Sequence, residues 1–316
     1  MSGLISLAQT RPVRLFSGWA TSCLLSAATI LFSFGVIQGS VAQSAEVDEV
    51  QVERILSLGG ALTEIVYALN AQDQLVGVDM TSKYPVAAQK LPDVGYFRRL
   101  SAEPVVALSP TLILASDQAG PPEVFAQIED AGIKIVRVPE NDFRENIGGK
   151  VRHVAKLLNR QAEGDVLAAD LDQQMVSLLR DVASATSAKP RIVSLMSMGR
   201  GALQAAGKGT IAHHLIELAG GENVFATFSG YKPVSDEALI AAAPDIILVP
   251  SHILIQAGGL SSVKDTPSIA QTPAGKTDKV IVVDSATALG YGPRFPQAAR
   301  KLAHVFHPEI SPTPSD

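Results

Sequence analysis

Cysteine is nearly absent from this chain of 316 residues: Cys23 is the only one, and the only tryptophan, Trp19, lies close to it. Aromatic residues reach just 5%. A single thiol excludes an internal disulfide and any zinc site built on several cysteines. The net charge of −5 argues against nucleic acid as the main partner. No nucleophile elbow, Walker loop or dinucleotide fingerprint occurs. Six histidines are present (His153, His213, His214, His252, His304 and His307), and none falls into a spaced metal-ligand pattern such as HExxH. An enzyme reading therefore has no nucleophile and base to point to. His252 follows an expected strand end, within reach of a cleft or simply bonded in its loop.

What is present begins with a targeting segment. Arg11 and Arg14 flank an uncharged apolar run over residues 24–36, and Ser40-Val41-Ala42 then supplies small residues before Gln43. This pattern predicts a signal peptide over residues 1–42, cleaved after Ala42. A retained anchor is the alternative, but the run is short of the ~20 residues a spanning helix needs. Cys23 precedes the apolar run, a poor place for lipid attachment. Cleavage would leave an exported protein without a thiol, compatible with a periplasm-like compartment.

A segment then occurs twice. Residues 101–114 read SAEPVVALSPTLIL and residues 235–248 read SDEALIAAAPDIIL. Ser101 matches Ser235, Glu103 matches Glu237, Pro110 matches Pro244, and Ile113-Leu114 match Ile247-Leu248. Gly95-Tyr96 and Gly230-Tyr231 precede the two copies. The spacing is too long for a solenoid and implies two similar lobes. Two lobes make a cleft, where small ligands bind.

Short apolar runs alternating with helical spacings predict α/β lobes with mostly parallel sheets. The first lobe covers residues 53–146 and the second 189–307. Between them, apolar residues from Val151 to Val182 recur at gaps of three, four and one, which predicts a connecting helix over 147–185. Such a helix would be ~50 Å long, unless Gly164 divides it. Residues 308–316, polar and proline-rich, are expected to form a disordered tail.

Two tyrosines stand out by position. Tyr96 has Arg98 and Arg99 beside it, and Tyr231 has Lys232. A phenol flanked by cations suits an anionic, metal-bearing ligand, because cations favour phenolate and pair with carboxylates. The plainer alternative is loop packing with ordinary surface charges. Glu103 and Glu237 each open a helix, where the helix dipole favours an acid. Matched acids on two lobes would also suit docking onto a basic partner.

The stretches RILSLGGALTEIVYAL, VGVDMTSKYP, KLPDVGYFRRLSAE, ALSPTLILAS, AAGKGT, ELAGGENV, GYKPVSDEALIAAAPDIILVPSH and LGYGPR resemble periplasmic haemin-binding proteins of haem ABC importers. More broadly the chain is similar to the cobalamin and siderophore binding proteins of that two-lobed class. The resemblance spans roughly residues 53–307. It implies two Rossmann-like lobes joined by a single long helix, a monomer, haem in the cleft, and delivery to an inner-membrane ABC permease with its ATPase. It implies Tyr96 as the ligand to haem iron, with Arg98 beside it. Tyr231 and Lys232 would lie on the opposite wall, and Arg98, Lys232 or Arg294 near the propionates. Glu103 and Glu237 would meet arginines of the permease. One departure is Ser197-Met198-Gly199, where the family often has Ser-His-Gly. A thioether is soft and pairs poorly with ferric iron already held by phenolate, which favours Met198 as packing against the porphyrin. Cobalamin or a ferric siderophore remains the rival ligand, and an enzyme or metal chaperone using the same cleft the rival class.

Overall fold

The computed structural model describes residues 53–139, 146–198 and 203–313. The expected signal peptide and the end of the tail lie outside the described residues, as does Gly199.

Four parallel strands build the first lobe. β1 (Ile55–Leu58) leads through α1 (Gly60–Ala68) to β2 (Leu75–Val78). Then come α2 (Ala102–Ala107), β3 (Leu112–Ser116), α3 (Pro122–Asp130) and β4 (Lys134–Val138). The sheet order is β2-β1-β3-β4. Its central strands are apolar at every position but Ser57 and Ser116, as a parallel sheet covered on both faces requires. Alternate residues serve different cores. Ile55, Leu112 and Leu114 face one cluster, whereas Leu56, Leu58, Ile113 and Ala115 face another.

The segment expected as one connecting helix is two: α4 (Ile147–Leu157) and α5 (Gln161–Ser184). The break is at Asn159, which adopts a left-handed φ of 55°. Asparagine tolerates that conformation. Gly164 has a different role from the one expected. A Cβ there would lie 2.2 Å from the Ala155 Cβ, so the glycine lets α5 fold back onto α4. α4 packs on α1 of the first lobe, and α5 alone, 24 residues and about 36 Å long, carries the chain to the second lobe.

In the second lobe β5 (Arg191–Ser197) is followed by β6 (Leu203–Ala206), α6 (Ile211–Leu218), β7 (Glu222–Asn223) and β8 (Tyr231–Val234). α7 (Asp236–Ala242) and β9 (Ile246–Pro250) come next. Four short helices, α8 (Ser251–Gln256), α9 (Leu260–Lys264), α10 (Pro267–Ala270) and α11 (Pro273–Lys276), lead to β10 (Val280–Val283), α12 (Ser285–Leu289) and α13 (Phe295–Phe306). The sheet order is β10-β9-β5-β6-β8, with β7 also on β5. The repeat is a structural repeat. α2–β3 and α7–β9 are the same helix-to-strand unit, each strand lying parallel to the lobe's first strand, β1 or β5. The antiparallel β6–β8 pair has no counterpart among the described residues of the first lobe. One apolar cluster runs from β1, α1 and α4 through α5 into β5, α6 and α13, so the described lobes share a core.

Residues 308–313 do not behave as the expected loose tail. Ile310 is buried in the shared core. Glu309 accepts bonds from the Thr186 and Ser187 amides and the Ser187 hydroxyl, and Ser187 also meets Nδ1 of buried His307. The chain end thus clasps the linker between α5 and β5. The Ser187 amide above all, with the other donors, pulls the Glu309 carboxyl down to about 2. An acid with a lowered pKa contributes stability above its ordinary value of 4.5 and loses it as pH falls through about 2. The Glu309→Gln protein should therefore melt below wild type at neutral pH, and the gap should close between pH 4.5 and 2. A gap that stays constant across that range in thermal melts would rule the clasp out.

Candidate functional site

Tyr96 sits on the loop between β2 and α2, and main-chain bonds hold that loop in place. The Val78 amide donates to the Pro92 carbonyl, Val94 to Val78, and Met80 to Gly95, the last at 2.9 Å. Gly95 takes a φ of +91°, which only glycine adopts without strain, and the chain turns there to present Tyr96. A second lacing ties this loop to the end of β3: Gly120 donates to Phe97 and Leu100 to Gly120, both at 2.9 Å.

The half-buried Tyr96 ring packs edge-on against Phe97, with centroids 5.2 Å apart. Arg98 Nη1 donates to the Tyr96 hydroxyl at 3.1 Å, while Arg98 Nη2 is bonded to Gln118 Oε1. Gln118 went unnoticed in the sequence because it lies twenty positions from Arg98 and carries no charge. It is fixed in turn by Arg137 of β4, which donates to the Asp117 and Ala119 carbonyls and stacks over Phe125 at 4.1 Å. The guanidinium's partners are thus a phenol oxygen and a neutral amide.

Beneath this loop lies a buried polar network. Asp79, 1% exposed, accepts from the Gly59 and Thr81 amides and from the Thr81 and Ser82 hydroxyls. Ser82 meets Thr63, and Thr63 donates to Ser57. Burial pushes the Asp79 carboxyl above its usual range, against the pull of these bonds. The network welds the turn after β2 to the start of α1.

The other expected site residues are distributed as follows. Tyr231 and Lys232 are exposed on β8, with the Lys232 ammonium 5.6 Å from the centre of the Phe228 ring. The described contacts do not join them to Tyr96. Met198 is not on an open wall: it is 8% exposed and packs with Val193, Leu195, Leu203 and Phe225 in the second lobe's core. Arg294 is already engaged across the lobes. It makes a two-pronged pair with Glu64 of α1, at 3.0 and 2.5 Å, and lies 3.8 Å over the Tyr84 ring. In this structure the anionic partner of the Arg294 guanidinium is a carboxylate of the protein. Glu103 and Glu237 are both exposed in the first turns of α2 and α7, at matching points of the two lobes.

His252 opens α8 directly after β9 and is exposed. Its Nδ1 lies 2.7 Å from the Ser285 hydroxyl, which also receives the His252 amide at 3.2 Å. Partial burial lowers its pKa. No group of three or more potential metal ligands occurs among the described residues. None of the described helices is long and apolar enough to cross a membrane.

Known proteins share this architecture. The periplasmic heme-binding protein RhuT from Roseiflexus sp. RS-1, in apo form, has a TM-score of 0.77 at 36% identity, over 82% of this chain and 99% of that one. A periplasmic heme-binding protein from Pseudomonas aeruginosa gives 0.75 at 30% identity, over 83% and 95%. A cobalamin-binding protein of Halobacterium salinarum is 25% identical over 87% of this chain and 75% of its own length. The periplasmic binding protein family model matches residues 55–287. With two α/β lobes and a single long helix between them, this chain belongs to the periplasmic binding protein family.

Proposed function

We propose that this protein binds haem between its lobes in the periplasm and delivers it to an inner-membrane ABC permease. The observation that carries this reading is the Tyr96–Arg98 pair: a phenol presented on a laced loop, with a guanidinium on its oxygen. A phenolate is a hard anionic ligand that favours ferric iron. Arg98 and Lys232 supply exposed cations for the propionates. Support also comes from the 30–36% identity to heme-binding proteins along most of the chain. Glu103 and Glu237 are the proposed docking acids for the permease. The N-terminal segment is the proposed cleavable export signal, and the protein acts as a binding protein without catalysis. Its shared core and the α5 strut support a small lobe closure on binding.

The 25% identical cobalamin-binding protein is the reason to keep cobalamin as the second reading. Haemin titration of the mature protein separates the two, with wild type beside Tyr96→Phe. Wild type should give a saturable one-to-one Soret change with tyrosinate bands, and the variant should lose those bands. Saturation by cobalamin but not by haemin would replace haem with cobalamin.

A further inference from the structure

The repeat carries a consequence for the second lobe. It aligns β3 with β9 at a spacing of 134 residues, and continuing it two residues past the strand ends sets Gln118 opposite His252. In the first lobe that position is part of the site, since Gln118 holds the arginine that touches Tyr96. Both residues stand at the carboxyl ends of parallel strands, the edge at which open α/β sheets take their ligands.

The surroundings of His252 are those of a positioned ligand. Nδ1 is 2.7 Å from Ser285 Oγ, and Ser285 Oγ is 3.1 Å from Ser251 Oγ. The Ser285 amide donates to Ser251 Oγ at 3.1 Å. These contacts allow two proton arrangements, and the one that suits a metal ligand has the His252 amide and Nδ1–H donating to Ser285 Oγ while Ser285 Oγ–H donates to Ser251 Oγ. That arrangement fixes the ring and leaves the Nε2 lone pair facing outward. Among the described residues nothing is bonded to Nε2. A histidine held through one ring nitrogen by an outer partner, with the other nitrogen open, is the usual form of a metal-ligating imidazole.

We propose that His252 is the second-lobe ligand of the haem iron, opposite Tyr96, and that Ser285 is its positioning residue. The proposal rests on the haem reading above. It gives this chain a histidine ligand after β9, while the end of β5 carries the buried Met198.

The test is haemin binding by wild type, His252→Ala and Ser285→Ala, with resonance Raman marker bands reporting coordination number. Wild type should be six-coordinate and His252→Ala five-coordinate. Ser285→Ala should stay six-coordinate but bind about ten- to a hundredfold more weakly, the range for loss of an outer-sphere partner. Wild type that is already five-coordinate, or His252→Ala with unchanged marker bands, overturns the assignment and leaves haem binding intact. Absence of saturable haemin binding by wild type overturns both.

Discussion

Glu64→Ala should cost the folded protein on the order of 3 kcal/mol, the lower end of what removing one partner of a buried ion pair costs. The Glu64 carboxylate is 5% exposed on α1, and its partner Arg294, 230 positions away, stands just before α13. The arginine side chain is 27% exposed and can regain some water, which sets the estimate at the low end. The Glu64 pKa is raised, chiefly by burial, against the pull of Arg294. Arg294 is held firmly charged, chiefly by its bond to Glu64. The pair therefore fixes the lobes in one arrangement more than it adds net stability. Replacing both members with methionine should recover most of the loss, because no charge is then left stranded. The neighbouring backbone supports a positional role: Tyr291 is buried at a left-handed φ of 51°, and such strain persists only where the surroundings impose it. Urea unfolding of the single and double variants decides the matter. A single variant within 1 kcal/mol of wild type, or a double variant no better than the single, would sink this account.

The Glu64–Arg294 pair also shows where sequence reasoning stops. LGYGPR is legible as a family motif, but nothing local connects Arg294 to an acid in the first helix. The repeat, by contrast, was fully legible. A serine at the helix start, Ser101 or Ser235, a breaking proline and a β-rich run recur in order, although only Ser235 caps its helix with its side chain. The α4–α5 break was misplaced for a physical reason. The apolar stripe stops at Leu158 and resumes at Val166, about two helical turns on, so periodicity does not place the turn. The visible glycine, Gly164, is there for close helix packing, and the turn falls at Asn159. The resemblance at Ser197-Met198-Gly199 implies a ligand-facing Met198, and the structure buries it. Whether a residue after a strand end points to cleft or core depends on the bulge between Leu195 and Ser197, which no pattern announces. β6–β8 were missed because LQAA and YKPV do not alternate.

Asp79→Ala should have the larger effect, because one side chain satisfies four donors. Removing it strands two main-chain amides, Gly59 and Thr81, and two hydroxyls, Thr81 and Ser82. Each orphaned buried donor costs about 1–3 kcal/mol, the hydroxyls least because they rotate to new acceptors. A total on the order of 4 kcal/mol is expected. Asp79→Asn should fall between, since one side-chain oxygen survives while the amide NH2 is turned toward donors. Haem binding should suffer beyond the loss of stability. The strand end that Asp79 anchors also carries the Tyr96 loop, through the bonds of Val78 and Met80 to Pro92, Val94 and Gly95. With that strand end free, the phenol proposed as the iron ligand is no longer held in place. Urea unfolding and haemin titration under conditions where the variant is fully folded separate the two effects. Weakened haem binding in a folded Asp79→Ala protein makes this network part of the binding site, whereas unchanged affinity would confine Asp79 to holding the fold. Because the lacing of the Tyr96 loop starts at the residues on either side of Asp79, the first outcome is the one the geometry requires.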